Sequence, residues 1–204
     1  MLFDDTYRTL RTVSEGIFRD KGSKFIGYAY PIKNELEVKT ILSQLRDEHS
    51  KARHFCWALR LSPDRAVFRM NDDGEPSGTA GRPILNTLLS ADVTNVLMVV
   101  VRYFGGTLLG VPGLINAYKS ASLAAIDANE IVTKTVNDVY EIQFDYLLMN
   151  DAMRIIKEEH LSLLKQEFDT RCLIHVEIRK GQLNVVLAKF EKTEGIKIKY
   201  LYTT

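Results

Sequence analysis

NVLMVVVRYFGGTLLGVPG, residues 95–113, is the stretch that decides the fold. Val96, Met98 and Val100 alternate with Leu97, Val99 and Val101, so both faces of the run are apolar. A half-exposed strand alternates apolar with polar residues, whereas a run apolar on both faces belongs in the middle of a sheet covered on each side. Arg102 ends the pattern, Tyr103 and Phe104 follow, and Gly105, Gly106, Gly110 and Gly113 break the chain before a helical run. A glycine-rich turn between strand and helix leaves backbone N–H groups free to face an anion, and a neighbouring Arg adds positive potential.

Just upstream, NDDGEPSGTAGRPIL, residues 71–85, is too polar and too permissive in backbone to be core, yet it leads into the most apolar strand of the chain. A functional site is one reason for such a loop. Carboxylates at Asp72, Asp73 and Glu75 suit a hard cation, but their spacing is not that of an EF-hand. Asp/Gly turns make the same local hydrogen bonds without metal, and neither metal nor cofactor is expected. Ser77 or Thr79 as a nucleophile would need a base, with His54 the nearest by order, and the G-x-S-x-G elbow is missing. The ligand-binding candidates are Asp72, Asp73, Glu75, Ser77, Thr79, Arg82, Arg102, Tyr103, Gly105 and Gly106. Arg102 either holds the turn through a carboxylate or carbonyl between Asp72 and Glu75, or stays free for an anionic ligand. A buried Arg without an acceptor costs several kcal/mol, so the first is expected, with the turn packed on the glycine loop. Tyr103 and Phe104 are read as anchors of that loop.

Moving outward, residues 15–19 and 23–31 read as a hairpin turning at Asp20, Lys21 and Gly22, with Phe25 pointing inward. Asn34 caps a helix with Glu37 as its reciprocal partner, and Val38, Ile41, Leu42 and Leu45 form its apolar stripe. In the strand 54–61, Phe55, Trp57, Leu59 and Leu61 share one face and His54, Cys56, Ala58 and Arg60 the other. His54 and Cys56 are read as packed or hydrogen-bonded residues, since two groups do not make a zinc site. A short strand at 67–70, a helix at 83–89 and a helix at 113–129 with a row of alanines complete this half. From Thr133 the order is strand to Asp145, helix 147–159, strands 162–168 and 172–179, helix 182–191 and strand 196–202. That is the βαββαβ order of a ferredoxin-like unit. The fold class is α+β, with two domains, residues 1–134 and 135–204, joined without a flexible linker.

The 204 residues carry 27 Lys/Arg against 26 Asp/Glu, a formal net charge of +1. An overall electrostatic grip on nucleic acid is therefore excluded, and contact with RNA must come from a local patch. Lys51, Arg53, Arg60 and Arg69, together with Arg65 and against Asp64, are the local basic excess that could form such a patch; a solvated face is the default reading, and the first four are the nucleic-acid candidates. The two cysteines, Cys56 and Cys172, do not suggest a disulfide framework. The sequence has neither a signal-peptide start nor an apolar run long enough to span a bilayer, so a cytoplasmic location without membrane contact is expected.

With KGSKFIGYAYPI (residues 21–32) and ARHFCWALRL (residues 52–61), the two segments above, NDDGEPSGTAGRPIL and VVVRYFGGTLLGVPGLINAY, resemble the landmarks of the IMPACT/YigZ family in order and spacing, over roughly residues 15–125. Two positions depart from the family pattern. Pro112 stands where the second glycine of an LGxGG run is expected, a place at a helix start that proline tolerates, and Asn116 stands where an Arg is frequent. The resemblance implies an N-terminal domain of the ribosomal-protein-S5 domain 2 type, a C-terminal ferredoxin-like domain, and a link to translation. The partner it implies is RNA, the ribosome or a translation factor, with no catalysis required. The alternatives are an enzyme or phosphate-ligand binder using the polar turn and the RYFGG loop, and a plain interaction module acting through the C-terminal domain. No oligomeric state follows from the sequence.

Overall fold

A computed structural model describes residues 5–169 and 171–204. They form two compact units, one of residues 7–134 and one of residues 135–204 joined by Asp5 and Thr6.

The unit of residues 7–134 is built on a five-stranded antiparallel sheet. Its strands are β2 (Ser14–Asp20), β3 (Ser23–Pro31), β4 (His54–Leu61), β5 (Val67–Asn71) and β6 (Val96–Tyr103). Their order across the sheet is β2-β3-β6-β4-β5, so the apolar run is the central strand. Every residue of β6 before Tyr103 is buried. Helices cover both faces: α1 (Leu36–Glu48), α2 (Gly81–Ser90) and α3 (Gly110–Asp127). Val96, Met98 and Val100 pack with the buried side chains of α2 and α3, while Leu97, Val99 and Val101 pack with Val38, Leu42 and Leu45 of α1. Strand β4 divides its side chains in the same way, with Cys56 and Ala58 towards α2 and α3, and Phe55, Leu59 and Leu61 towards α1. Phe25 is fully buried.

The β2–β3 hairpin turns at Lys21 and Gly22, both at positive φ (44° and 78°), the pair of angles a two-residue hairpin turn requires. Helix α3 lies directly on this hairpin, Ser14 Oγ of β2 donating to the Ala125 carbonyl (2.6 Å). A Cβ at Gly27 would stand 2.4 Å from the Ala121 carbonyl oxygen, and one at Gly16 would stand 2.2 Å from the Ala125 nitrogen. Glycines on the strands and alanines on the helix are what allow that approach. Helix α3 begins at Gly110 rather than Gly113, which places Pro112 in its first turn, where no N–H is missed.

Strands β1 (Thr6–Leu10) and β7 (Ile131–Thr135) pair in a sheet of two. The single strand expected from Thr133 to Asp145 is thus two, β7 and β8 (Asn137–Phe144). The break falls at Val136, whose N–H donates to the Asp5 carbonyl (2.7 Å) and whose carbonyl accepts from Lys180 N–H (2.9 Å).

In the second unit β8 is followed by α4 (Met149–Glu158), β9 (Ser162–Phe168), β10 (Cys172–Arg179), α5 (Leu183–Glu191) and β11 (Lys197–Thr203). The sheet order is β11-β8-β10-β9, with antiparallel pairing throughout. This is the ferredoxin-like arrangement that the element order predicts. Ile142, Cys172, Ile174, Val176 and Ile178 of the sheet form its core with Ile155, Ile156, Val186 and Phe190 of the helices. Asp5 belongs to this unit, accepting two hydrogen bonds from Arg179 (2.7 and 2.8 Å) and one from Gly181 N–H (3.0 Å). The fold is α+β, an S5 domain 2-like domain followed by a ferredoxin-like one.

Candidate functional site

The polar turn of residues 71–80 turns its carboxylates inward. Asp72 accepts from the backbone N–H groups of Gly78 (2.9 Å), Ala80 (3.0 Å) and Gly81 (2.8 Å). The last two donors lie at the start of α2, where the first turn has no intrahelical acceptors, so Asp72 caps a helix from nine residues upstream. Burial works against its charge, but the three N–H donors outweigh burial and hold the carboxyl below its ordinary range. Asp73 accepts from Phe55 N–H (2.7 Å), and its carbonyl accepts from His54 Nδ1 (2.9 Å). Since a carbonyl only accepts, the His54 proton on that side is fixed on Nδ1. Asp73 sits at φ 41° and Gly74 at φ 86°, the left-handed geometry that Asp and Gly reach most easily.

Glu75 meets Arg102, as a buried strand-end Arg requires. Its Oε1 accepts from Arg102 Nη1 (2.5 Å) and from the Tyr118 hydroxyl (2.8 Å). The Tyr118 oxygen in turn lies 3.3 Å from the Cys56 sulfur, which is also 2.9 Å from the Asp72 carbonyl. Burial pushes the Tyr118 hydroxyl and the Cys56 thiol well above their ordinary pKa ranges, so both stay protonated as donors. The Arg102 guanidinium lies between two aromatic rings, 5.4 Å from the centroids of Phe25 and of Phe104. The turn therefore reaches the central strand and α3 through Glu75. On its other side the glycine loop meets the β2–β3 hairpin: Gly105 lies against Gly22, and its N–H donates to Ser23 Oγ (3.1 Å).

What remains open is a cavity of about 480 Å³ lined by Lys51, Arg53, His54, Arg102, Tyr103 and Phe104. The pairing of His54 with Arg102 across β4 and β6 brings these residues together. Tyr103 is tied back to α1, its hydroxyl 2.8 Å from His49 Nδ1, with the Tyr28 hydroxyl 2.8 Å from His49 Nε2. Burial, helped by the charge of Glu15, pushes the Tyr28 hydroxyl up to about 12. Phe104 is 56% exposed, so it is a surface at the mouth of the cavity rather than the anchor expected of it.

The sequence-predicted residues thus separate. Lys51 and Arg53, candidates by charge, share the cavity with Arg102 and Tyr103, candidates by their place before the loop. Arg60 does not belong with them. It is buried on the α2 face, donates to the Val93 carbonyl (3.3 Å) and pairs with Asp92 (3.6 Å), because alternation along β4 sends its side chain under the sheet. Arg65 also pairs with Asp92 (2.9 Å), and Arg69 pairs with Glu35 (3.1 Å). Arg82 lies instead in a groove of about 400 Å³ between α2 and α3, with Gly78 and Lys119. Thr79 is buried, its hydroxyl bonded to the Pro76 carbonyl (2.7 Å), while Ser77, Gly105 and Gly106 are exposed. Among the described residues, no group of three or more His, Cys, Asp or Glu is placed to hold a metal ion. Among the same residues, no helix is long and apolar enough to cross a membrane.

The family model described as the Impact N-terminal domain matches residues 21–126. An IMPACT family member of Haemophilus influenzae is 30% identical over 176 residues, 85% of this chain and 84% of that protein. The chain belongs to the IMPACT family. The IMPACT family member YigZ of Escherichia coli is 29% identical over 84% of this chain and 87% of its own. A crystal structure of a hypothetical protein, 25% identical, superposes with a TM-score of 0.74 over 97% of this chain and 98% of that one. The IMPACT match covers α1, α2, the central strand and nearly all of α3, and with them every residue lining the cavity.

Two residues of the IMPACT site escape a reading of the sequence. Tyr118 is hidden in the alanine row of α3, although a single large polar aromatic among small residues is a usable signal of a buried hydroxyl. His49 ends α1, and nothing local marks it as a bridge between tyrosines from two strands.

Proposed function

We propose that this protein is a cytoplasmic, translation-associated regulator that binds RNA, in the ribosome or beside a factor bound to it, through the cavity at the end of β4 and β6. Membership in the IMPACT family supports the link to translation. The observation that carries the RNA reading is that Lys51 and Arg53, both exposed, line one concave surface with His54, Arg102 and the exposed ring of Phe104. With a net charge of +1, affinity must be local, and cations beside an aromatic ring are what a nucleic acid strand engages. The competing reading, an enzyme built on the polar turn, loses support because Asp72, Asp73 and Glu75 are already acceptors of internal hydrogen bonds. Its phosphate-binding half remains compatible with the same cavity.

Ribosome sedimentation and filter binding with Lys51→Ala and Arg53→Ala test this. Each is expected to weaken association and to lower the slope of log K against log salt by roughly 1. Arg69→Ala, which removes a cation engaged with Glu35, is expected to change the slope less. Undiminished association in both cavity variants, at unchanged melting temperature, would remove the RNA reading.

A further inference from the structure

We propose that the cavity is a subsite for a single nucleotide unit, with the phosphate held by Lys51 and Arg53 and the base stacked on Phe104. The proposal rests on the RNA reading above and narrows it from a charged surface to a built pocket.

Three observations meet there. First, the volume of about 480 Å³ falls in the range of small-ligand pockets, roughly 300–1,000 Å³. It suits one nucleotide better than a length of backbone. Second, the charges in it are unequal in availability. Glu75 is engaged by Arg102 and Tyr118, and Asp73 faces Phe55 N–H, whereas Lys51 and Arg53 are exposed and left to a phosphate. Arg102 has given one N–H to Glu75, and its buried Nε–H is without an acceptor among the described residues. Because that Nε–H is closed to solvent, Arg102 offers the ligand its positive charge rather than this donor. Third, Phe104 is 56% exposed while the Arg102 guanidinium packs on its ring. A cation that supports an aromatic ring at a cavity mouth makes a fixed platform, and every base offers a flat face to such a platform.

Phosphate and base together define the ligand, and that chemistry has two sources, the phosphorylated end of an RNA or a free nucleotide. Calorimetric titration of the full-length protein with AMP, CMP, ribose 5-phosphate and inorganic phosphate tests the unit itself. The nucleotides are expected to bind more tightly than ribose 5-phosphate. Phe104→Ala is expected to weaken the nucleotides by roughly 5- to 150-fold, the usual worth of one stacked base, and to leave ribose 5-phosphate unchanged. Phe104→Leu keeps apolar cover over Arg102 and should show the same loss, which separates stacking from support of the fold. Lys51→Ala and Arg53→Ala should weaken all four ligands alike. A short RNA carrying a 5′-phosphate, compared with the same RNA carrying a 5′-hydroxyl, then distinguishes the sources: preference for the phosphate identifies an RNA end, and equal binding beside tight AMP or CMP identifies a free nucleotide.

Equal affinity for nucleotide and ribose 5-phosphate, or an unchanged nucleotide affinity in both Phe104 variants, would overturn the subsite. Tighter binding of a phosphotyrosine peptide than of any nucleotide would overturn it as well. In each case RNA binding that still depends on Lys51 and Arg53 would leave the broader reading standing.

Discussion

Asp72 is the residue on which the polar turn closes, since one carboxylate takes up three N–H groups of the loop and the start of α2. Asp72→Ala leaves those donors without an acceptor and is expected to cost about 1–2 kcal/mol, the usual worth of a helix cap, read by urea unfolding. The pH dependence has a definite sign. The folded carboxyl titrates below its ordinary value of 3.8, so its contribution is complete above that value and is lost as pH falls through the folded pKa. Asp72→Asn should therefore lack this part of the acid sensitivity and differ from the wild type least at the lowest pH. The sequence shows that the turn is special without showing which way its acids point. Orientation depends on where Phe55, Ala80 and Gly81 lie in space, and no local pattern carries that. The Arg102 pairing is legible for a different reason: a cation closing a fully apolar strand has to meet an acceptor, and Glu75 is among the few candidates.

At the scale of elements, the contact between α3 and the β2–β3 hairpin is set by what is missing from the side chains. Gly27→Ala is expected to lower stability by roughly 3 kcal/mol, at the upper end of overpacking costs, because its methyl meets the Ala121 carbonyl and neither backbone can retreat. Gly78→Ala is the control in thermal unfolding. Gly78 has φ +77°, and nothing lies within 4 Å of the place an added methyl would take, so only the backbone penalty of about 1 kcal/mol applies. The alanine row of α3 announces close packing in the sequence, and the two faces of β4 and β6 follow from alternation. The break at Val136 does not, since it answers to Asp5 and Lys180, which are distant in the chain. The start of α2 at Gly81, two residues before the Pro83 that marks it in the sequence, has a similar origin: its cap lies in the turn rather than beside the helix.

For the whole molecule, the element order of residues 137–203 is enough to give the ferredoxin-like unit, because that order has one familiar solution. The order β2-β3-β6-β4-β5 is not recoverable in this way, since β6 inserts between strands that precede it and only its two apolar faces hint at a central place. Each unit also encloses a single cysteine, Cys56 in one core and Cys172 in the other, both with 0% exposure. Thiol reagents react with exposed thiolates, so neither can be alkylated until its own surroundings open. The molecule thus carries two internal clocks. Under mild denaturant, peptide mapping of alkylated protein should return two separate rates. Gly27→Ala is expected to quicken the first clock while leaving the second at its wild-type pace, and equal acceleration of both would mean that the chain opens as one cooperative body.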